Sequence, residues 1–382
     1  MRFLYIGSHD LLSRHELGFL ASLSVLGSVN AIQLGGETEI KKLRVGSDNG
    51  VWTVPLYRIP CEGILHIHKC VNTIKRLVDP EEYGFIFVTP RIPTLTTNLL
   101  LNKRRPIVLR LWSVRAAKVI NNMLLGCYRD LLIFIPSVLA NLSYISSSTF
   151  TMTLDNATYM SASKIYPVFA NRIIKVYPPY GYVIKNSIAT HESKILEIVD
   201  RGDYILGFTI LSKKGVYFEV EAKPQAETLY LLAKKSDIDV ILAGSTLEDW
   251  RRKFPYIEPP RNLHIIGRGF GDYLLERLYR NAKMVVVPIT FLSISNRFLE
   301  ALFYGKPVIT TGYVKYLHPE LIHGMHVYIS DNIVEDALKL LKEEYMLKTL
   351  EQGAKEAYTK FFSTKHNAEA VKKLIFSALH AL

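Results

Sequence analysis

Val285-Val286-Val287-Pro288 and, six residues later, Ser295-Asn296-Arg297-Phe298-Leu299-Glu300-Ala301-Leu302-Phe303-Tyr304-Gly305-Lys306-Pro307-Val308-Ile309-Thr310 read as strand, loop, short helix and strand. Ser295 or Asn296 can cap the helix start. Gly305 stands where a left-handed C′ residue is wanted, and Pro307 bars continuation before the β-branched run resumes. Such a helix has about two turns. Arg297, Glu300 and Tyr304 then share an outward-looking face, and Leu299, Leu302 and Phe303 form an apolar face suited to a sheet. An arginine at the positive end of the helix dipole is better placed if an anion binds there. A solvated Arg–Glu pair is the competing reading.

Outward from this stretch, strands and helices alternate. Tyr204 to Phe208, Asp239 to Ala243 and Leu263 to Ile266 read as strands followed by Gly244 and by Gly267-Arg268-Gly269, with Ser212-Lys213-Lys214-Gly215 after the first of them. Helices are expected over Leu229–Lys235 and Tyr273–Asn281. Upstream, Met1 to Gly7 is a buried strand, and Glu16 to Leu26 a helix after a polar loop. Val29–Leu34, Val51–Arg58, Phe85–Val88, Ile107–Leu111, Leu131–Ile135 and Ile173–Val176 are further strands, and Gly63–Val78 is a helix. The whole is an α/β chain with parallel, doubly wound sheets, whose ligands approach the carboxyl ends of the strands. Loop residues His9, Asp10 and His15 are therefore candidates for acceptor contact or proton transfer, against simple solvation. The Pro-rich Tyr177 to Gly181 marks a boundary. Domains 1–183 and 184–361 follow, with the last helix, about 362–382, crossing back to the first.

The 382 residues carry a net charge of +12, and residues 1–180 hold 20 Lys and Arg against 11 Asp and Glu. No acidic residue lies between Glu82 and Asp130. Arg91, Lys103, Arg104, Arg105, Arg110, Arg115, Lys118 and Arg129 occur there among Leu, Ile and Trp. A basic and apolar stretch suits an anionic membrane face or a lipid-phosphate acceptor. Scattered surface cations are the plain alternative, and nothing in the sequence resembles a nucleic-acid-binding motif. No apolar run spans a bilayer. Cys61, Cys70 and Cys127 are too few for a disulfide framework and are expected as buried apolar residues of a reducing, cytoplasmic compartment. His66, His68 and Cys70 have no further ligand at zinc spacing, so packing is preferred over metal binding. Gly267-x-Gly269 lacks the third glycine of a dinucleotide fingerprint, and no Gly-x-x-x-x-Gly-Lys-Ser/Thr loop occurs.

The pieces Gly207 with Lys214-Gly215, Val240 to Gly244, His264 to Gly267, Leu278-Tyr279-x-x-Ala282, Val287-Pro288 and Asn296-Arg297-x-x-Glu300-Ala301-x-x-x-Gly305-Lys306-Pro307 resemble, in order and spacing, the nucleotide-binding domain of GT-B glycosyltransferases, and most closely the retaining family 4. The resemblance covers about 130 residues, Tyr204 to Asp331. It implies a GT-B fold, two Rossmann-like domains facing across a cleft. It implies transfer, with retention and without cofactor or metal, of a sugar from a UDP- or GDP-linked donor to a lipid-linked or glycan acceptor. Glu300 would bond the ribose hydroxyls, Lys214 the diphosphate, and the Gly267-Arg268 turn would face the base. Gly207, Lys213, Gly244, Ser295, Asn296 and Arg297 would line the donor site, and His9, Lys214 and Glu300 are the catalytic candidates. Work in the cytoplasm or on the cytoplasmic membrane face is expected with such acceptors. Three positions depart from the family. Leu292 replaces its first glutamate, Phe208 an arginine, and Trp112 a histidine. A catalytically silent nucleotide-sugar-binding or scaffold protein is thus the alternative.

Overall fold

The computed structural model describes residues 1–7, 12–35, 37–61, 67–90, 105–124, 128–184, 193–215, 217–267, 272–290 and 295–380. These fold into two compact units, Met1–Ile184 with Phe361–Leu382, and Lys185–Lys360.

The first unit runs β1 (Arg2–Gly7), α1 (Arg14–Leu26), β2 (Ser28–Leu34), β3 (Glu39–Ser47), β4 (Gly50–Ile59), α2 (Ile67–Leu77), β5 (Phe85–Val88), β6 (Ile107–Leu111), α3 (Arg115–Leu124), a 3₁₀ turn (Tyr128–Ile133), α4 (Phe134–Ser147), β7 (Phe150–Thr153), α5 (Asn156–Ile165), β8 (Ile173–Lys175) and β9 (Tyr182–Val183). Its sheet has the order β8-β7-β6-β5-β1-β2-β4-β3-β9. It is parallel from β8 to β4, and β3 joins antiparallel to β4 and β9. The alternation along β1 explains its central place. Phe3 and Tyr5 enter the core on one face, and Leu4 and Ile6 the core on the other, as a strand covered by helices on both sides requires.

The second unit runs α6 (Ser193–Arg201), β10 (Tyr204–Phe208), α7 (Lys223–Lys235), β11 (Asp239–Ala243), α8 (Leu247–Lys253), β12 (Leu263–Ile266), α9 (Asp272–Asn281), β13 (Met284–Val287), α10 (Asn296–Phe303), β14 (Val308–Thr310), α11 (Val314–Leu317), β15 (Tyr328–Ile329), α12 (Ile333–Leu340) and α13 (Glu344–Ala357). Its six parallel strands have the order β12-β11-β10-β13-β14-β15. Order reverses between β10 and β13, and that switch point opens a crevice at the carboxyl ends of the strands. The C-terminal helix α14 (Thr364–His380) packs on α1 in the first unit.

Two expectations are corrected here. Leu131–Ile135 is not a strand. Residues up to Ile133 form the 3₁₀ turn, and Phe134 begins α4. An unalternating apolar run does not by itself choose between strand and helix. Cys61 and Cys70 are not two free thiols. Their Cα atoms stand 5.7 Å apart and their sulfurs are bonded, so cysteine usage no longer argues for a reducing compartment. Cys127, like His66, lies outside the described residues.

Candidate functional site

A pocket opens at the switch point of the second unit. Its walls are Phe208 at the end of β10 with Thr209 and Ile210 after it, Ala243 at the end of β11 with Gly244 after it, Val286 and Val287 of β13, Lys213, Glu221 and Ala222 of the β10–α7 connection, Gln225 of α7, and Ser295 and Arg297 at the start of α10.

The last of these elements forms for local reasons. Ser295 is extended at the N-cap and accepts the Phe298 amide at 3.4 Å. At the other end Gly305 adopts φ +62°. The Gly305 amide reaches the Leu302 carbonyl at 3.0 Å and the Lys306 amide the Ala301 carbonyl at 2.9 Å, a Schellman closure. Phe298, Leu299, Ala301 and Leu302 are buried.

Glu300 is buried too, at 0% exposure, which corrects the outward face read from the sequence. One carboxylate oxygen accepts the Arg297 guanidinium at 2.6 Å and the Tyr279 hydroxyl at 2.7 Å. Arg297 keeps 39% of its side chain exposed. Burial works to lower its pKa, but the Glu300 charge, Tyr279 and the hydrogen bonds outweigh burial and raise it above the ordinary value, so the guanidinium is a permanent cation. It lies 4.5 Å over the Phe208 ring. Phe208 stacks on Tyr279 at 5.2 Å, and Tyr279 on Tyr304 at 5.2 Å. The aromatic at 208, where the family often has arginine, thus carries a cation reaching it from α10.

Across the pocket Lys213 meets Glu221 at 2.5 Å, both partly covered. The connection that carries both is pinned at Thr209 and Leu211 to Ser245, just after β11, and at Thr209 to Ala222. The Ser245 hydroxyl donates to the Thr209 carbonyl at 2.8 Å and accepts the Leu211 amide at 2.9 Å, and the Thr209 hydroxyl donates to the Ala222 carbonyl at 3.0 Å. Gly244 has φ +101° and lies against the Thr209 carbonyl, with no room for a side chain.

The structure brings together Lys213, Gly244, Ser295 and Arg297, with Glu300 directly behind. Asn296 is the first residue of α10. Lys214 is exposed and outside the pocket wall. Gly207 faces the core, where a Cβ would come within 2.5 Å of Leu229, so the glycine admits α7 and does not touch the pocket. Gly267 is likewise off the wall. His9, Arg268 and Leu292 lie outside the described residues. Sequence reasoning missed Glu221, Thr209 and Gln225, which no motif marks. It quoted Tyr279 without giving it a role, although Leu278-Tyr279 was part of the pattern.

In the first unit the loop candidates have a different setting. Glu16 is fully buried. It accepts Arg110 through Nε at 3.1 Å and Nη2 at 3.2 Å, Trp112 through its indole N–H at 2.6 Å, and the Tyr5 hydroxyl. His15 stands 3.3 Å from the same carboxylate and edge-on to Trp112, only 7% exposed. Arg110 is fully buried over the Phe19 ring, and burial lowers its pKa against the opposing pull of Glu16.

With this geometry in hand, comparison with known proteins is decisive for the second unit. The glycosyl transferases group 1 family matches residues 205–343. Most of the second unit is thus similar to the group 1 glycosyltransferases. The chain is accordingly a glycosyltransferase, and its whole architecture is GT-B. Sucrose-phosphate synthase from Thermosynechococcus elongatus superposes with TM-score 0.71 at 12% identity, covering all of both chains. A trehalose-6-phosphate structure from E. coli, bound with UDP-2-fluoro glucose, gives 0.62 at 9% over 98% of this chain and 99% of that one. WaaG, a glycosyltransferase involved in lipopolysaccharide biosynthesis, gives 0.59 at 14% with the same two coverages. A search of curated proteins found no match in sequence. Among the described residues no group of three or more His, Cys, Asp or Glu is placed to hold a metal ion, and no helix is long and apolar enough to cross a membrane.

Proposed function

We propose that this glycosyltransferase moves a sugar from a UDP- or GDP-linked donor to a lipid-linked or glycan acceptor, with retention and without a metal. The observation that carries the donor half is the pairing of two cations, Lys213 and Arg297, on the walls of one switch-point pocket beside the start of α10. As the glycosidic bond breaks, negative charge grows on the departing diphosphate. Fixed cations and helix N-terminal amides stabilise that charge more than the ground state and so lower the barrier. Each cation has a carboxylate partner, Lys213 with Glu221 and Arg297 with Glu300. A nucleoside diphosphate offers both exchanges at once. Its ribose hydroxyls take up Glu300, and its phosphates take up the released guanidinium.

The donor likeness to a structure bound with UDP-2-fluoro glucose favours a uridine nucleotide. The lipid-linked acceptor is favoured by the basic and apolar composition of residues 91–129 and by the likeness to a glycosyltransferase of lipopolysaccharide biosynthesis. A cytoplasmic location, at an anionic membrane face, belongs to the same proposal.

A panel of nucleotide sugars with membrane extract, read as released nucleoside diphosphate, tests this reading. One donor should turn over, with Arg297→Ala slowing release about 100-fold or more and Lys213→Ala about 10-fold. Lys214→Ala should stay near wild type. If Lys214→Ala were as damaging as Lys213→Ala, the assignment of the diphosphate cation would be wrong. Nucleotide binding with no release from any donor would make the chain a binding or scaffold protein.

A further inference from the structure

The α3–α4 hairpin of the first unit has apolar residues on both faces: Ala116, Val119 and Ile145 are buried, with Phe134, Val138 and Tyr144 packed against the core, and a second apolar set is turned outward. The α4 stripe buried against the protein is Ser137, Asn141 and Ile145, two of them polar. Asn141 is held there by accepting the Arg115 amide at 3.0 Å. The water-facing stripe, four and three residues apart, is Ile135, Leu139 and Leu142, with Ile135 68% and Leu139 58% exposed. Leu132 in the preceding turn is 85% exposed, Leu124 at the end of α3 82%, and Tyr128 71%. A surface helix in water keeps its outer face polar, and scattered single apolar residues need no account whereas a contiguous set does. From Leu131 to Leu154 the sequence has no charged residue. Within and beside this patch the sequence has Arg115, Lys118 and Arg129 against Asp130, a positive balance. Arg115 on α3 is exposed and Lys118 half-buried.

We propose that the outer face of α3, the 128–133 turn and α4 is a membrane-contact surface that seats in the interface of an anionic bilayer. Apolar side chains on one face, a tyrosine among them and cations at the flank are what such an interface accepts. The flanking positive charge selects anionic lipid over a second copy of this chain, which would bring like charge to like. The inference deepens the lipid-acceptor part of the proposed function and rests on it only for why the enzyme should be at a membrane. Vesicle binding requires neither donor nor turnover.

The test is flotation of the full chain with vesicles of pure phosphatidylcholine or of phosphatidylcholine with phosphatidylglycerol, at low and high salt, with gel filtration and nucleotide binding measured alongside. The wild type should float with the anionic vesicles. Leu132→Ser with Ile135→Ser should reduce partitioning about 10-fold or more, and Arg115→Glu with Lys118→Glu should reduce both the binding and its salt dependence. Nucleotide binding should be equal in all three proteins, which separates failure here from failure of the donor site. Absence of wild-type binding to anionic vesicles at low salt would overturn the proposal. So would equal flotation of the Leu132→Ser/Ile135→Ser protein, or a dimer that this variant dissolves in place of vesicle binding.

Discussion

The two units place charged side chains at the carboxyl ends of parallel strands in opposite ways. In the second unit Arg297 and Lys213 stand on a pocket wall, partly exposed, each paired with its own carboxylate, Glu300 and Glu221. In the first, Arg110 and Glu16 are sealed at 0% exposure, with Tyr5 and Trp112 completing the carboxylate's shell. A cation that still meets solvent can exchange its partner for an incoming anion. A cation without solvent cannot, and serves the fold. The same sheet architecture therefore yields a pocket lined by partly exposed cations in one unit and a sealed ion pair in the other.

The sharpest way to break this comparison is at the sealed pair. Arg110→Met leaves Glu16 buried without its cation and should destabilise the first unit by about 3–5 kcal/mol, while the double change with Glu16→Met should cost less than the single one. Hydrogen exchange, read separately for β1–β8 and β10–β15, should show the loss in the first unit alone. Unchanged protection there would mean that the pair contributes nothing. A smaller effect is expected at Gly207. Alanine there meets Leu229 in the core and should cost about 1–3 kcal/mol in the second unit, partly restored by Leu229→Ala, with nucleotide affinity preserved. A selective loss of affinity would instead return Gly207 to the site.

What was legible in the sequence was local. The cap, the Arg297–Glu300 spacing and the Gly305 stop lie within ten residues, so helical periodicity is enough to place them. Which of Lys213 and Lys214 faces the pocket depends on how one irregular loop is pinned by Ser245, a residue some thirty positions away, and adjacent lysines give no periodicity to read. Burial of Glu300 depends on Tyr279, from another helix. Leu131–Ile135 misled because an apolar run implies an interior, and here it is on the surface. The strand β3 was missed because Lys41, Lys42 and Arg44 obscure its alternation, although Asn49-Gly50 beside it is a hairpin signal.

The finest test of the comparison is a third buried carboxylate. Asp155 caps α5 by accepting the Thr158 amide at 2.7 Å, and burial pushes its pKa up to about 6 against those hydrogen bonds. Because the folded pKa lies above the ordinary value, the folded state holds the proton more tightly. Stability should fall as pH rises from about 4 to about 6 and show no further change from this group above that, a loss on the order of 3 kcal/mol. Asp155→Asn keeps an oxygen for the cap and should flatten that part of the stability–pH curve. An unchanged slope would show that Asp155 is ionised at little cost, as a solvated carboxylate is.

The central claim is that Arg297, poised on Glu300, receives a nucleoside diphosphate. Calorimetric titration of UDP, GDP and uridine into the wild-type chain and into Arg297→Ala tests it most directly. The account predicts that one diphosphate binds more tightly than uridine, and that this advantage falls about 10-fold or more in Arg297→Ala while hydrogen exchange of the second unit stays native. Equal diphosphate affinity in the two proteins would contradict it.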